Sequence, residues 1–500
     1  YEHYKYERLA GSREEFPSDA LTDMEAGSTS GAGYTNGAGS SEYKMLSYFA
    51  RVNYTLMDRY LFEVNMRADA SSRFHKDHRW GYFPSFSAGW RMSEESFMKD
   101  IEWINNLKIR ASYGTLGNIN NVGNYDYFQN YSSGNHYNFS DSPVIGIGES
   151  KPANETLGWE KVALTDIGLD FDIFNGLLGV TADYYFKNTS DILLGYNVPT
   201  ETGITAAPSQ NIGKVKNTGF ELALNHRNKI GAVNYSIGAN IATNKNKITN
   251  LGGSDNIIQT SSYIVKYILK KGESIGSFYG FKTDGLYTQA DIDAGHYYTL
   301  SGVVPNAGDI KFVPQRDIEY KQEITDEDRT ILGKDVPDFT YGVNLSLQYK
   351  GFEFSMFGQG ISGTKVAFDV YGVHPFYHGQ DSPRKYHLKR WTEENPNPHA
   401  AYPRIYSASS VHTTYNRNFS DYHLFDSDYF RFKTLSLGYT VPSATVKNWG
   451  LQSLKVYVTG ENLFTVRADK KMEDFDPETA GGVIYTLGTK SVAFGVNISF

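Results

Sequence analysis

The chain has 500 residues, of which 15% are aromatic, with 48 glycines, no cysteine and a formal net charge of −8. Without cysteine there are no disulfides, thiolate metal sites or cysteine nucleophiles, and without a dense basic block no nucleic-acid partner is expected, because duplex phosphates demand a positive footprint. A mean hydropathy of −0.46 and the lack of any run of about 18 apolar residues exclude a transmembrane helix, whereas a membrane barrel stays allowed because its strands are only half apolar.

Tyr1 to Tyr6 carries no leader-like basic and apolar regions. Ala26 to Ser41, rich in glycine, reads as a flexible loop tip. Period-two alternation then begins. Tyr48, Ala50, Val52, Tyr54 and Leu56 oppose Arg51, Asn53 and Thr55; Tyr60, Phe62, Val64, Met66 and Ala68 oppose Glu63, Asn65, Arg67 and Asp69. Ile167, Leu169, Phe171 and Ile173 oppose Asp166, Gly168, Asp170 and Asp172, and Leu178 to Phe186 and Val233 to Ile241 repeat the pattern. Tyr341, Val343, Leu345, Leu347 and Tyr349 follow, then Leu454, Val456 and Val458, and finally Val492, Phe494, Val496, Ile498 and Phe500. About 15 to 16 strands are predicted, with Lys245 to Pro337 the least clear stretch.

The links between strands alternate as well. Met57-Asp58-Arg59, Asn175-Gly176 and Lys350-Gly351 are short; Gly117 to Glu160, Ser190 to Ile212, Gly363 to Ser427 and Arg467 to Leu487 are long and polar. Ser93 to Asn106 and Pro442 to Ser453, of middle length, fall where short turns are due. Strands of about ten residues, with turns on one side and long loops on the other, predict an all-β transmembrane antiparallel barrel.

Catalytic motifs fail on inspection. Gly31-Ala32-Gly33 and Gly146-Ile147-Gly148 lack the third glycine and helix of a dinucleotide loop. His374 and His378 are separated by Pro375 and Phe376 outside helical periodicity, so they read as loop histidines and no metal site is assigned. Asp326-Glu327-Asp328 and the group Glu473, Asp474, Asp476 and Glu478 have the oxygens calcium prefers, but solvated acidic loops account for them better. No cofactor and no enzyme activity are expected. Two aromatic loops stand out as candidate ligand or partner contacts: Tyr125, Tyr127, Phe128, Tyr131 and Tyr137 in one, and Tyr371, His374, Phe376, Tyr377, His378, Trp391 and Tyr402 in the other. Rings among amides and carboxylates can stack on a sugar or clamp a peptide; they equally suit loop packing or an interfacial girdle.

Several words of the sequence resemble the SusC/RagA family of TonB-dependent outer-membrane transporters. They include Ser47 to Tyr54 (SYFARVNY), Arg67 to Phe74 (RADASSRF), Phe83 to Arg91 (FPSFSAGWR), Leu107 to Gly114, Asn217 to Glu221, Pro337 to Gly342, Tyr429 to Lys433 (YFRFK), Gly460 to Phe464 (GENLF) and Phe475 to Glu478 (FDPE). The resemblance implies a barrel of about 22 strands in the outer membrane of a Gram-negative cell, of which residues 1–500 would be the C-terminal part, the plug and first strands lying upstream. It implies import of oligosaccharides, or alternatively of oligopeptides, with a SusD-like lipoprotein as lid, TonB acting through the plug, and a dimer of transporter and lid pairs. Phe500 would serve as the barrel-insertion signal. Many relatives carry an Asp-x-Asn-x-Asp-Gly loop after the Gly308-Asp309-Ile310 word; here only Ile324 to Arg329 remains, which weakens the calcium reading. From other classes, a soluble all-β carbohydrate-binding module and an outer-membrane enzyme are the competing readings.

Overall fold

The computed structural model describes residues 1–16, 18–20, 24, 27, 34–139, 142–195, 208–260, 264–368, 373–376, 382–478 and 488–500. Fourteen strands form one wall: β1 (Glu2–Arg13), β2 (Tyr34–Leu56), β3 (Tyr60–Ser71), β4 (Trp80–Arg91), β5 (Ile104–Asn118), β6 (Glu160–Ile173), β7 (Leu178–Gly195), β8 (Ser209–Ile230), β9 (Val233–Thr243), β10 (Phe339–Tyr349), β11 (Phe352–Ser362), β12 (Tyr429–Thr440), β13 (Ser453–Arg467) and β14 (Ser491–Ser499). Each is antiparallel to the next, so the wall is a meander, and a fifteenth strand, Lys245–Leu251, pairs with the start of β8. Among the described residues β1 and β14 are the free edges of this sheet.

The alternation read from the sequence sets the two faces. On β14 the apolar set Val492, Phe494, Val496 and Ile498 stands exposed, Phe494 at 84%. Such a continuous apolar surface would be a liability in water, and is what lipid covers in a membrane barrel. Among the described residues no helix is long and apolar enough to cross a membrane.

Turn chemistry fixes the short side. Met57 (φ 54°) and Asp58 (φ 57°) join β2 to β3, and Lys350 (φ 45°) with Gly351 (φ 90°) joins β10 to β11. Both central residues of each turn are left-handed, the arrangement whose twist matches that of the paired strands. Phe174, Asn175 and Gly176 turn β6 into β7, and Gly231 turns β8 into β9. The two links of middle length, 92–103 and 441–452, close the β4/β5 and β12/β13 connections on the same side; the second contains the short helix Ser443–Lys447.

The opposite side carries the long connections, and there the dry core lies. Phe281, Ile310, Phe312, Trp391 and Tyr415 bury one another between segments 244–338 and 363–428, while Phe368, Tyr386, Phe425, Met472 and Phe475 form a second cluster. Lys245 to Pro337, unclear in the sequence, is a built loop: Asn256–Thr260, Lys266–Lys270, Ser277–Gly280 and Thr330–Lys334 make a four-stranded sheet, and Lys282–Leu286 pairs with Ile310–Val313. One expectation is corrected. Gly37 and Gly39 are not in a loop tip but in β2, opposite Ala10 and Arg8 of β1. Pairing with a neighbouring strand overrides the weak strand preference of glycine; residues 26 and 28–33 of that stretch lie outside the described residues.

Candidate functional site

The polar face of the wall is cross-linked by charge. Arg110 on β5 reaches Asp170 (Nε to Oδ2, 3.2 Å) and Asp166 (3.3 Å) on β6, and Asp183 (2.6 Å) on β7. Strand register makes this geometry: Arg110 lies opposite Gly168, and a Cβ there would collide with the guanidinium. Charge-assisted bonds of this kind hold their groups in place on a face that cannot offer apolar packing.

A second cluster ties a long loop to the rim. Arg431 of β12 grips Asp476 (2.6 and 3.3 Å) and Glu478 (2.6 Å), and Lys433 adds a 2.9 Å bond to Glu478. Gln359 of β11 and the Tyr429 hydroxyl donate to the same carboxylate at 3.2 and 3.1 Å. The YFRFK and FDPE words are thus the two halves of one clamp. Burial raises the Asp476 and Glu478 carboxyls, and their cationic partners more than offset that, holding both below the usual range. Asp474 is engaged separately, accepting from the Tyr386 backbone N–H at 3.1 Å.

The other acidic run is occupied by arginine. Asp328, fully buried, accepts from the backbone N–H groups of Gln315, Arg316 and Thr325, each at 3.0 Å, and from the Arg316 guanidinium at 2.7 Å. Burial alone would raise its carboxyl; these donors pull it down to about 2. Asp326 pairs with Arg329 at 2.7 Å and Glu327 with Arg316 at 3.3 Å. Among the described residues no three His, Asp or Glu converge in a metal-holding group. Nearby, buried Asp309 accepts from Asn416 Nδ2 (2.8 Å) and the Asn306 backbone (2.7 Å) and meets His412 Nδ1 at 2.8 Å, clamping helix Val411–Asn416 to strand Ile310–Val313.

These features sit on a meander with apolar and polar faces and segregated links, and the family model described as "TonB dependent receptor-like, beta-barrel" matches residues 5–463. The chain belongs to the TonB-dependent receptor family. It is of the SusC/RagA type, an outer-membrane β-barrel protein of Gram-negative bacteria, and the soluble-module reading falls with that placement. TonB-dependent receptor P3 of Formosa agariphila is 32% identical over 85% of this chain and 41% of its own length. TonB-dependent receptor SusC of Bacteroides thetaiotaomicron is 29% identical over 91% of this chain and 43% of its own. The structure of the RagAB peptide transporter superposes with a TM-score of 0.77 at 25% identity, covering 100% of this chain and 52% of that one. The chain therefore spans less than half the length of the curated relatives it matches.

In this TonB-dependent receptor wall the candidate loop residues divide by exposure. Tyr125, Phe128 and Tyr131, the last 64% exposed, and Phe376 present their rings to solvent. Tyr127 packs on Phe128 (4.2 Å between ring centroids) and against the cluster of Phe74, Phe83 and Trp159. His374, Trp391 and Tyr402 lie inside the loop layer: His374 is 2% exposed, its Nδ1 3.2 Å from the Tyr402 hydroxyl, and Trp391 is 5% exposed in the first core cluster. Tyr371, Tyr377, His378 and the Tyr137 side chain lie outside the described residues. Phe500 follows β14, exposed and in phase with its apolar set. Sequence reasoning missed the clamps of Arg110 and Arg431. Alternation placed Asp166 and Asp170 on a polar face, but strand partners were needed to bring Arg110 to them.

Proposed function

We propose that the whole protein imports oligosaccharides across the outer membrane as a transporter and not as an enzyme. A SusD-like lipoprotein closes the mouth, TonB supplies the pull through a segment outside residues 1–500, and two transporter and lid pairs associate. The observation that carries the reading is a SusC/RagA-type wall whose polar face is lined with fixed charges beneath a built layer of long loops. The exposed rings Tyr125, Phe128, Tyr131 and Phe376 offer stacking surfaces at that mouth. A second reading, oligopeptide import, is favoured by the likeness to the RagAB peptide transporter.

The test uses cells with and without the full-length gene, fed fluorescent oligosaccharides or oligopeptides. Gene-dependent oligosaccharide uptake that stops when the proton gradient is collapsed is expected. Uptake of peptides alone supports the second reading, and the absence of gene- and gradient-dependent uptake of either overturns both.

A further inference from the structure

The outward, apolar face of the wall changes chemistry above β7 and β8. On β7 its apolar set ends at Tyr184 and Phe186, whose rings meet edge to face at 4.8 Å, and on β8 it ends at exposed Phe220, in register with Tyr184. Beyond these rings, towards the long loops, the same face turns basic. Lys214 and Lys216 of β8 are exposed and flank Val215, which is buried on the other face with Ile248, Leu251 and Leu269. Strand Lys245–Leu251 adds Lys245, in register with Thr218, and Lys247, in register with Lys216; both are exposed. Lys216 Nζ lies 5.6 Å from the centre of the Phe186 ring, so the basic and apolar parts form one continuous surface.

Charge and height together select what this surface meets. Lys216 and Lys247 stand directly opposite each other on neighbouring strands, where like charges are destabilising. Among the described residues none of Lys214, Lys216, Lys245 and Lys247 has an ion-pair partner, whereas Lys311, Lys433 and Lys455 each meet a carboxylate. Strands rise about 3.3 Å per residue and barrels tilt them by roughly 40°, so Lys245, level with Thr218, stands about 5 Å above Phe220 and Lys216 about 10 Å above it. The headgroup layer on each side of a bilayer is about 5–8 Å deep, and the Lys216 side chain reaches down to Phe186. β7 and β8 lie within the sheet, away from its free edges, with neighbours on both sides. Their outward face is turned from the lumen, where a plug would sit, and from the mouth, where a lid would close.

We propose that Lys214, Lys216, Lys245 and Lys247 form a docking site for the phosphate-bearing headgroup of a glycolipid in the outer leaflet. A phosphate between Lys216 and Lys247 replaces their repulsion by two attractions, and Lys214 and Lys245 flank it from above and below. The acyl chains continue downward over Phe186, Tyr184 and Phe220, the surface already given to lipid. Lysine clusters at the edge of an apolar membrane face recognise anionic lipid in this way. The inference concerns the lipid around the transporter and is independent of its cargo.

The test is equilibrium binding of phosphorylated lipid A, the same lipid with its phosphate removed, and inorganic phosphate to the full-length protein in neutral detergent. The proteins compared are wild type, the double variant Lys216→Gln with Lys247→Gln, and Lys187→Gln, whose lysine lies in register with Asn217 on the opposite face of the wall. Wild type is expected to bind the phosphorylated lipid about tenfold or more tightly than the dephosphorylated one, the scale of two lysines at an anionic surface. The double variant should lose that preference and Lys187→Gln should keep it. Without lipid, the double variant should hold its heat-modifiable band to at least the temperature of wild type, because a like-charge pair has been relieved. Equal affinity for the two lipids, inorganic phosphate binding as tightly as the lipid, or an undiminished preference in the double variant overturns the proposal. A change in its oligomeric state without lipid also overturns it, and assigns the face to a second copy of the chain.

Discussion

Arg431 and Asp476 meet fork to fork, Nη2 to Oδ1 at 2.6 Å and Nη1 to Oδ2 at 3.3 Å, with the arginine side chain 5% exposed. They are 45 residues apart in sequence and belong to different kinds of structure, a wall strand and a loop. Removing the Asp476 charge leaves Arg431 with Glu478 alone, and losing a charge-assisted bond of this kind costs about 1.5–3 kcal/mol. Asp476→Asn should therefore loosen segment 468–478 while leaving the wall intact. Limited proteolysis of protein in detergent is expected to cut within that segment at least tenfold faster, with unchanged heat-modifiable migration. Equal cutting rates would show that the clamp does not hold the loop.

The loop layer should also respond to acid. His374, His387 and His423 are buried together, with His374 and His423 ring centroids 5.3 Å apart. Burial pushes His423 down to about 4, and the ammonium of Lys471 acts in the same direction. His374 is lowered by burial, then by His423, Arg417 and His387. The Ser420 hydroxyl lies 3.0 Å from His423 Nδ1, and Tyr422 packs beside it. An opened loop lets His423 titrate near its ordinary value of 6.5, so between pH 6.5 and 4 the open state takes up a proton that the packed state cannot hold. Packing is thus fully stable above pH 6.5 and loses about 1.4 kcal/mol per pH unit per such histidine below it. Hydrogen exchange in 411–428, corrected for its intrinsic pH dependence, should rise between pH 7 and 5, and His423→Gln should flatten that rise. No rise in wild type would contradict the linkage.

How much of this could be read beforehand follows from the range of each interaction. Alternation is a property of one strand, so Tyr341 to Tyr349 and Val492 to Ile498 declared their faces, and the two-residue link Lys350-Gly351 declared its turn. Register is a property of two strands, so the opposition of Arg110 and Gly168 could not be seen. The loops were least legible, because Phe281 finds Trp391 and Tyr415 across more than a hundred residues with no period to mark them. For the same reason His374 and Trp391 looked like Tyr131 in the sequence and differ from it in burial.

That difference gives a third expectation. Trp391 lies against the backbone of Gly308 and beneath the Arg404 guanidinium, 5.5 Å from its ring. Trp391→Ala removes a large buried ring and should cost about 3–5 kcal/mol, visible as rapid proteolysis of 382–428. Tyr131→Ala removes an exposed ring and should leave stability within about 0.5 kcal/mol while, under the proposed function, lowering affinity for the oligosaccharide. A ligand defect in both variants without a folding defect in Trp391→Ala would refute the division between packing rings and contact rings.

Gly219 sets the tightest limit on the wall. On β8 it lies opposite Tyr185 of β7, whose hydroxyl donates to the Thr243 carbonyl at the end of β9, 3.2 Å away. The phenol therefore crosses above Gly219, and a Cβ there would collide with both the Thr243 carbonyl oxygen and the Tyr185 hydroxyl. One of these is backbone and cannot swing aside. Even alanine should force the ring out, break its bond to Thr243 and strain the junction from which the loop 244–338 departs. Gly219→Ala is expected to cost about 1–3 kcal/mol, measured as a lower temperature for loss of the heat-modifiable band. Tyr185→Phe, which loses only the hydrogen bond, should cost about 1 kcal/mol. In the double variant Gly219→Ala with Tyr185→Ala the collision with the ring is gone but that with Thr243 stays, so stability should recover only in part. Full recovery would place the whole effect on the tyrosine and none on the backbone of Thr243.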